Sequence, residues 1–514
     1  MNTNPLSAEL TLGIVGAGAM GRGIAQIAAQ AGVRVKLFDV QAGAASGAVD
    51  TVRAQFDRLR DKGKLSADAA AKAGDNLAAV SELDALAGCG IVVEAIVEKL
   101  DAKRQLLAAL EALVGADCIL ATNTSSLSVT AIAAGAQHPE RIAGFHFFNP
   151  VPLMKVVEVI AGALTGTKAV DTLAAFARHI GHTPVRASDT PGFIVNHAGR
   201  GYLTEALKIV QESVAGFAQV DAILRDSAGF RLGPFQLLDL TGLDVSHPVM
   251  ESIYGQYYQE PRYRPSVLTA QRLSAGLLGK KSGRGFYDYA EDAPAPTTEP
   301  QPAVAPWQGP VWIGAEDEET RAQLIALMAR LGVTVEDTPR PSADALCLVA
   351  PLGEDVTHCA VRLEIDARRT IGIDPLTLGT ARVTLMRNPA TPAALAAQVQ
   401  SAFEQAGQPA TLIDDSAGFI VQRVLATIVN IGCDIVQQGI CTPRDLDCAV
   451  ELGLGYPRGP LAWGDHIGPR RVLQILRAMQ AQSGDPRYRP SPWLTRRALL
   501  NLPLHHVSGQ EIES

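Results

Sequence analysis

His146 and Glu158 stand 12 positions apart in GFHFFNPVPLMKVVEV (144–159), on two apolar, β-prone runs that flank an Asn-Pro-Val-Pro turn. If the runs fold back on each other, an imidazole meets a carboxylate in apolar surroundings. Such a pair suits general acid–base work. Histidine exchanges protons near neutral pH, and a carboxylate on its other ring nitrogen fixes the tautomer and stabilises the imidazolium. Taken alone, a histidine in an apolar strand is more often a satisfied core residue, so the rest of the chain must decide between the two readings.

The decision comes from upstream. GAGAMG (16–21) follows a predicted strand, LTLGIVG, and opens a helical pattern, GRGIAQIAAQAG. In this fingerprint Gly16 permits a tight turn, Gly18 lets the backbone approach a pyrophosphate, and Gly21 allows close helix–strand packing. Ala19 and Met20 complete this cofactor-binding turn, which opens a helix whose exposed N–H groups and dipole favour phosphate. The second strand, VRVKLFDV, carries Asp39, 18 residues after Gly21. A carboxylate there accepts hydrogen bonds from ribose hydroxyls and repels a 2′-phosphate. No arginine follows it directly, so NAD is expected rather than NADP. An alcohol that passes hydride to nicotinamide needs a base for its hydroxyl proton, and His146 becomes the candidate.

The elements that must position these groups follow from the pattern. Further strands are predicted at GIVVEAI (90–96), CILATNT (118–124) and RIAGFHFF (141–148). Alternation with helical stretches indicates βαβ units around a mainly parallel sheet. From Asp189 to about Gly279 the pattern turns helical. Residues 290–310, with six prolines in 21 positions, read as a linker. Beyond it the chain repeats itself. DTPGFIVN (189–196) recurs as DSAGFIVQ (415–422), GPFQLLD (233–239) as GPLAWGD (459–465), and PRYRP occurs at 261–265 and 486–490. The stretch between linker and second copy has a strand–turn–helix rhythm without a glycine fingerprint. Its segment TARVTLMRNPATPAAL (380–395) keeps Asn388-Pro389 and places Leu385 near the position of His146, which predicts an inactive copy.

The expected fold class is an α/β Rossmann-type dinucleotide-binding domain (1–187) plus an all-α domain (188–289). The linker (290–310), a degenerate Rossmann-like segment (311–411) and a second helical domain (412–514) follow. Of the 514 residues 47% are apolar and 19% charged, in the range of globular proteins, and a net charge of −8 speaks against general nucleic-acid binding. Seven cysteines show neither a CxxC pair nor disulfide-like spacing, no metal site is expected, and a reducing cytoplasm is the expected compartment. The N-terminus lacks the pattern of a signal peptide, and no uninterrupted apolar run reaches the length of a membrane span.

Seven ordered motifs carry a family resemblance: GIVGAGAMGRGIAQIAA, VVEAIVEKLDAK, ATNTSSLS, GFHFFNPVPLMKVVEVI, DTPGFIVN, GPFQLLDLTGLD and KSGRGFYDY. Together they resemble the L-3-hydroxyacyl-CoA dehydrogenases over residues 10–289, and more faintly through the second helical copy. The resemblance implies an acyl-CoA thioester substrate and NAD, with His146 and Glu158 as the catalytic pair. It also implies that Ser125 and Asn196 orient the substrate's hydroxyl and thioester carbonyl. Glu98, Lys103 and Asn149 would line the nicotinamide side, and Lys62 would meet the CoA phosphates. The residues themselves leave plain alternatives. Ser125 could cap a helix starting near Leu127, Asn196 could be a helix-surface amide, and Glu98 and Lys103 could belong to a solvated helix face. His197 stands where the family more often has arginine, which Arg423 retains in the second copy.

Within the family, the duplicated layout resembles enzymes that oxidise 3-hydroxyadipyl-CoA in aromatic-acid (phenylacetate) catabolism. 3-Hydroxybutyryl-CoA is the competing substrate. A dehydrogenase of a free sugar or hydroxy acid, and an NAD-binding structural or sensor protein, are the alternative functions. The tandem helical domains predict a pseudo-dimer within one chain, with further homo-oligomerisation open and no nucleic-acid or membrane partner.

Overall fold

The computed structural model describes residues 10–290, 304–507 and 509, so most of the Pro-rich stretch and the first nine residues lie outside the described residues. The chain forms two compact units, Met1–His197 with Gln438–Leu454, and Ala198–Gln437 with Gly455–Ser514.

The first unit is built on eight strands: β1 Thr11–Val15, β2 Arg34–Phe38, β3 Leu77–Val80, β4 Ile91–Glu94, β5 Ile119–Thr122, β6 Ile142–Phe147, β7 Val156–Ala161 and β8 Thr183–Ser188. They pair in the order β3-β2-β1-β4-β5-β6-β7-β8. All neighbours are parallel except β6 and β7. A parallel sheet is covered on both faces, which is why β4 and β5 read as apolar runs up to their last residues, Glu94 and Thr122. On one face Ile14, Val35 and Ile91 pack with Ile24 and Phe56 from the helices Ala19–Gln30 and Ala44–Asp61. On the other, Val92 and Leu120 pack with Leu107 and Leu110 from the helix Leu100–Leu113. The strand order reverses between β1 and β4, and the crevice at their carboxyl ends is where such sheets take ligands.

The second unit carries a six-stranded sheet: β9 Val311–Ala315, β10 Val335–Glu336, β11 Leu346–Ala350, β12 Thr370–Ile373, β13 Val383–Arg387 and β14 Ala410–Asp414. Its order is β10-β9-β11-β12-β13-β14, with β12 and β13 antiparallel. This topology corrects the placement of Leu385. The segment ending in Asn388-Pro389 is β13, the counterpart of β7, whereas β12 is the counterpart of β6. Gly144 lies opposite Ile160 and Gly372 opposite Met386 in the matching registers. Two residues further on, Asp374 takes the place of His146, and Thr384 takes that of Glu158. An Asn-Pro dipeptide stops a strand wherever it falls, so the matching dipeptides misled the comparison.

Asp374 is fully buried. Its Oδ1 accepts from the Gln422 amide (3.0 Å) and the Leu376 N–H (2.9 Å), while Oδ2 has no hydrogen-bond partner. Burial pushes its pKa up to about 6, against the opposing pull of those two donors. The folded chain therefore holds a proton that the unfolded chain releases near pH 4. Stability attributable to this group falls as pH rises from about 4 through 6 and then levels. Asp374→Asn is expected to raise the melting temperature at pH 8 by an amount worth roughly 2 kcal/mol and to give no such gain near pH 4. Melting curves of both proteins at the two pH values check this.

Helices complete the second unit. The first-copy helix Arg200–Gln211 packs on the second-copy helix Ile420–Gln437. At their crossing a Cβ on Gly201 would lie 3.2 Å from Ile428 Cα, so a glycine permits the backbones to meet. Glu205 of the first copy is buried and receives Arg423 Nε (2.8 Å), Arg487 Nη1 (3.3 Å) and Tyr488 Oη (2.8 Å) from the second. In return, Arg262 of the first copy reaches Asp434 of the second at 2.5 Å. Arg262 and Arg487 are the same residue of the two PRYRP segments, so each segment sends its arginine across to the other copy. The helix Ile420–Gln437 is long and apolar enough to cross a membrane, but 94% of its apolar window is buried among other helices.

Candidate active site

The hairpin of β6 and β7 sets His146 directly opposite Glu158. His146 Nδ1 and Glu158 Oε2 are 2.6 Å apart. Glu158 is fully buried and His146 is 5% exposed. The other carboxylate oxygen, Oε1, accepts the N–H groups of Ile194 (2.8 Å) and Val195 (2.9 Å). Those donors are aimed by Phe193, whose φ of 48° is left-handed. For a bulky L-residue that conformation costs about 1–2 kcal/mol. The turn starts the short helix Val195–Ala198, and Asn196 follows Val195 within it. Phe148 and Phe193 flank the imidazole, with ring centroids 4.5 and 5.8 Å away. With Nδ1 engaged, Nε2 is the nitrogen left to exchange a proton with a substrate.

The glycine fingerprint forms the turn between β1 and the helix Ala19–Gln30. Gly16 has φ +110°, and a Cβ on it would sit 2.4 Å from Ala95 O. A Cβ on Gly21 would sit 1.9 Å from Gly16 O, so helix and turn touch backbone to backbone. At Gly18, the residue preceding Ala19 and Met20, a Cβ would meet nothing within 4 Å, which leaves space for a phosphate to approach. Asp39 at the end of β2 accepts from Ala17 N–H (2.7 Å) and Gln41 N–H (2.9 Å), which ties the turn to the second strand. The next residue, Val40, is 93% exposed and offers no cation for a 2′-phosphate. Open backbone at Gly18 and a carboxylate at Asp39 fit NAD.

On the helix Leu100–Leu113, Lys103 is buried against Glu94, the last residue of β4 (2.6 Å), and Glu98 (3.2 Å), which removes the reading as a solvated helix face. Glu98 is 35% exposed and accepts from Thr124 Oγ1 (2.6 Å), Ser125 N–H (2.9 Å) and Ser126 N–H (3.1 Å). Burial works to raise its pKa. The Thr124 hydroxyl, the Lys103 charge and the Ser125 N–H outweigh that and hold the carboxyl below its usual range. Glu98 thus fixes the loop that carries Ser125. Ser125 does not cap a helix: the helix Val129–Ala133 is capped by Ser128, whose Oγ accepts from Ala131 N–H. Two supporting residues escaped the sequence reading. Glu94 is the closer partner of Lys103 and also receives Thr122 Oγ1 at 2.7 Å; a lone acid ending an apolar strand was its signal. Asp189 accepts from Ser128 Oγ, Val129 N–H and Thr130 N–H, and so anchors the far side of the Ser125 loop. Its place at the head of DTPGFIVN gave no hint of that role.

Lys62 ends the helix Ala44–Asp61 and lies in a groove of about 470 Å³ with Arg22, Arg58, Asn149 and Leu153. The groove runs from the helix Ala19–Gln30 to the loop after β6. Gly23 lets that loop close, because a Cβ there would sit 2.8 Å from Val151. The structure thus brings His146 and Glu158 into contact, joins Glu98, Lys103 and the Ser125 backbone, and gathers Lys62 and Asn149 on one groove. Among the described residues no cluster of side chains could hold a metal ion.

Residues 11–190 match the family model described as 3-hydroxyacyl-CoA dehydrogenase, NAD binding domain. The model of the family's C-terminal domain matches twice, at 192–289 and 418–505. The chain is 37% identical over 490 residues to the 3-hydroxyadipyl-CoA dehydrogenase of Escherichia coli, covering 95% of this chain and 98% of that protein. It is 37% identical over 285 residues to the mitochondrial hydroxyacyl-coenzyme A dehydrogenase of Sus scrofa, covering 54% of this chain and 90% of that one. A crystal structure from Escherichia coli described as 3-hydroxybutyryl-CoA dehydrogenase superposes with a TM-score of 0.82 at 35% identity. It covers 96% of this chain and 99% of its own.

Proposed function

This chain belongs to the 3-hydroxyacyl-CoA dehydrogenase family, and on that premise we propose the roles of its site residues, its substrate and its assembly. The reaction is the NAD-dependent oxidation of a 3-hydroxyacyl-CoA to the 3-oxoacyl-CoA. NAD, when bound, accepts the hydride that leaves C3. His146 Nε2 takes the hydroxyl proton as the C3–O bond becomes a carbonyl, and returns it in the reverse direction. Glu158 orients the ring through Nδ1 and stabilises the imidazolium. Ser125 and Asn196 hold the substrate's hydroxyl and thioester carbonyl. Gly16, Gly18, Ala19, Met20 and Gly21 receive the pyrophosphate and Asp39 the ribose, while Glu98, Lys103 and Asn149 line the nicotinamide side. Lys62, with Arg58 beside it in the groove, meets the CoA phosphates.

The substrate we favour is 3-hydroxyadipyl-CoA. One observation carries this: the relative bearing that substrate in its name matches 95% of the chain, both halves included. 3-Hydroxybutyryl-CoA is the second reading, favoured by the name of the superposed crystal structure. Steady-state reduction of 3-oxoadipyl-CoA and acetoacetyl-CoA separates them. The first should have the higher kcat/KM, and the reverse order would establish the second reading. The packed helices Arg200–Gln211 and Ile420–Gln437 support an intrachain pseudo-dimer with one active centre, in which the inactive copy replaces a partner subunit. We place the enzyme in the cytoplasm.

A further inference from the structure

A short piece of the second helical copy does not stay with the rest of that copy. Residues Gln438–Leu454 belong to the unit that carries the first sheet. The backbone joins first: Ser188 N–H, at the end of edge strand β8, donates to Ile440 O at 2.8 Å. The helix Pro443–Leu454 then packs along β7 and β8. β7 is the strand that holds Glu158. Near the end of this helix Gly453 meets the segment that binds the same carboxylate. A Cβ on Gly453 would lie 3.0 and 3.2 Å from the two Val195 methyl carbons and 3.4 Å from Val156 Cγ1. Such contacts are tighter than ordinary packing, so Val195 would have to move. Val195 N–H is one of the two donors to Glu158 Oε1, and Glu158 Oε2 holds His146 Nδ1. The path from Gly453 to the imidazole thus has three contacts: methyl packing, a backbone hydrogen bond and a carboxylate bridge.

The duplicated chain supplies an internal control. In the register that matches DTPGFIVN to DSAGFIVQ, the first-copy counterpart of Gly453 is Ser227. Ser227 belongs to the second unit, and its hydroxyl donates to Arg382 O at 2.8 Å, just before β13. β13 is the counterpart of β7 and carries Thr384 in place of the glutamate. A side chain is therefore present at this position where the sheet has no dyad, and absent where the sheet has one.

We propose that the Gln438–Leu454 segment of the inactive copy is a positioning element for the His146–Glu158 pair, with Gly453 setting how closely it seats against Val195. The inference rests on the proposed role of that pair. It gives the second half a part in the chemistry, beyond burying apolar surface. Pressure at Val195 tilts its N–H away from Glu158 Oε1 and shifts the carboxylate under the imidazole. A misplacement of about 1 Å can cost about a hundredfold in rate, and a smaller one correspondingly less.

Gly453→Val in the full chain tests this, with acetoacetyl-CoA and NADH as substrates. The expected result is a kcat lower by about tenfold or more, with KM for the thioester and the NADH dissociation constant unchanged. Adding Val195→Ala should make room for the new side chain and restore most of the rate. An unchanged kcat in Gly453→Val, or no recovery on adding Val195→Ala, would overturn the proposal. So would a loss spread equally over kcat, KM and NADH affinity. If the valine variant fails to fold, Gly453→Ala carries the test with a smaller displacement and the same split between kcat and KM. Absence of thioester turnover in the unsubstituted chain would instead refute the proposed function.

Discussion

His146→Ala lowers kcat by about three orders of magnitude and leaves NADH binding intact. The size follows from what is removed. General acid–base transfer contributes about 10² to 10⁴ to such steps, and His146 is the imidazole that Glu158 holds across the hairpin. The selectivity follows from placement. The dinucleotide turn is held by Gly16, Gly21 and the Asp39 bond to Ala17, none of which involves His146. His146 is also well packed, between Phe148 and Phe193, so alanine leaves a cavity, and some loss of stability accompanies the loss of rate. Stopped-flow reduction of acetoacetyl-CoA, with NADH fluorescence titration on the same sample, separates the two effects. Turnover near that of the unsubstituted protein would remove His146 from the mechanism.

Glu205→Ala is expected to destabilise the second unit by roughly 3–5 kcal/mol. Glu205 is fully buried and Arg423 is 3% exposed, with their closest atoms 2.7 Å apart. Arg487 and the Tyr488 hydroxyl complete the cluster. Burial alone would lower the Arg423 pKa. Tyr488, Glu205 and Glu212 outweigh it and keep the guanidinium firmly charged. Removing Glu205 leaves Arg423 with Glu212, 2.9 Å away and exposed, and Arg487 with Asp485, 3.6 Å away. A buried charge that loses its partner cannot recover its hydration, which is why breaking such a pair costs more than forming it returns. Glu205→Gln, which keeps the shape and part of the hydrogen bonding, should cost less. Urea unfolding of the three proteins gives the comparison, and equal midpoints would show that the cluster does not hold the two copies together.

What the sequence disclosed depended on how local each signal was. The glycine fingerprint, Asp39 and the β6–β7 hairpin are short-range patterns, and both geometry and spacing could be read from them. The two PRYRP segments marked a duplication, but their cross-copy arginines became visible only in three dimensions, because each meets an acid more than 150 residues away. The counterpart of His146 was misplaced for a related reason. Asn388-Pro389 resembles the first hairpin turn in sequence, whereas the register of β12 against β13 identifies Asp374. Glu94 and Asp189 act through loops that they hold, and a single acid in an apolar context does not announce which loop that is. The departure of Gln438–Leu454 from its own repeat had no local signal, since the segment has the same helical pattern as its first-copy counterpart.

The central claim is that this chain oxidises and reduces CoA thioesters of 3-hydroxy and 3-oxo acids at the His146–Glu158 site. The most direct measurement is NADH consumption by the full chain with acetoacetyl-CoA and, separately, with free acetoacetate. Rapid consumption with the thioester and little with the free acid is the predicted result. Equal rates with both, or none with the thioester, would contradict it.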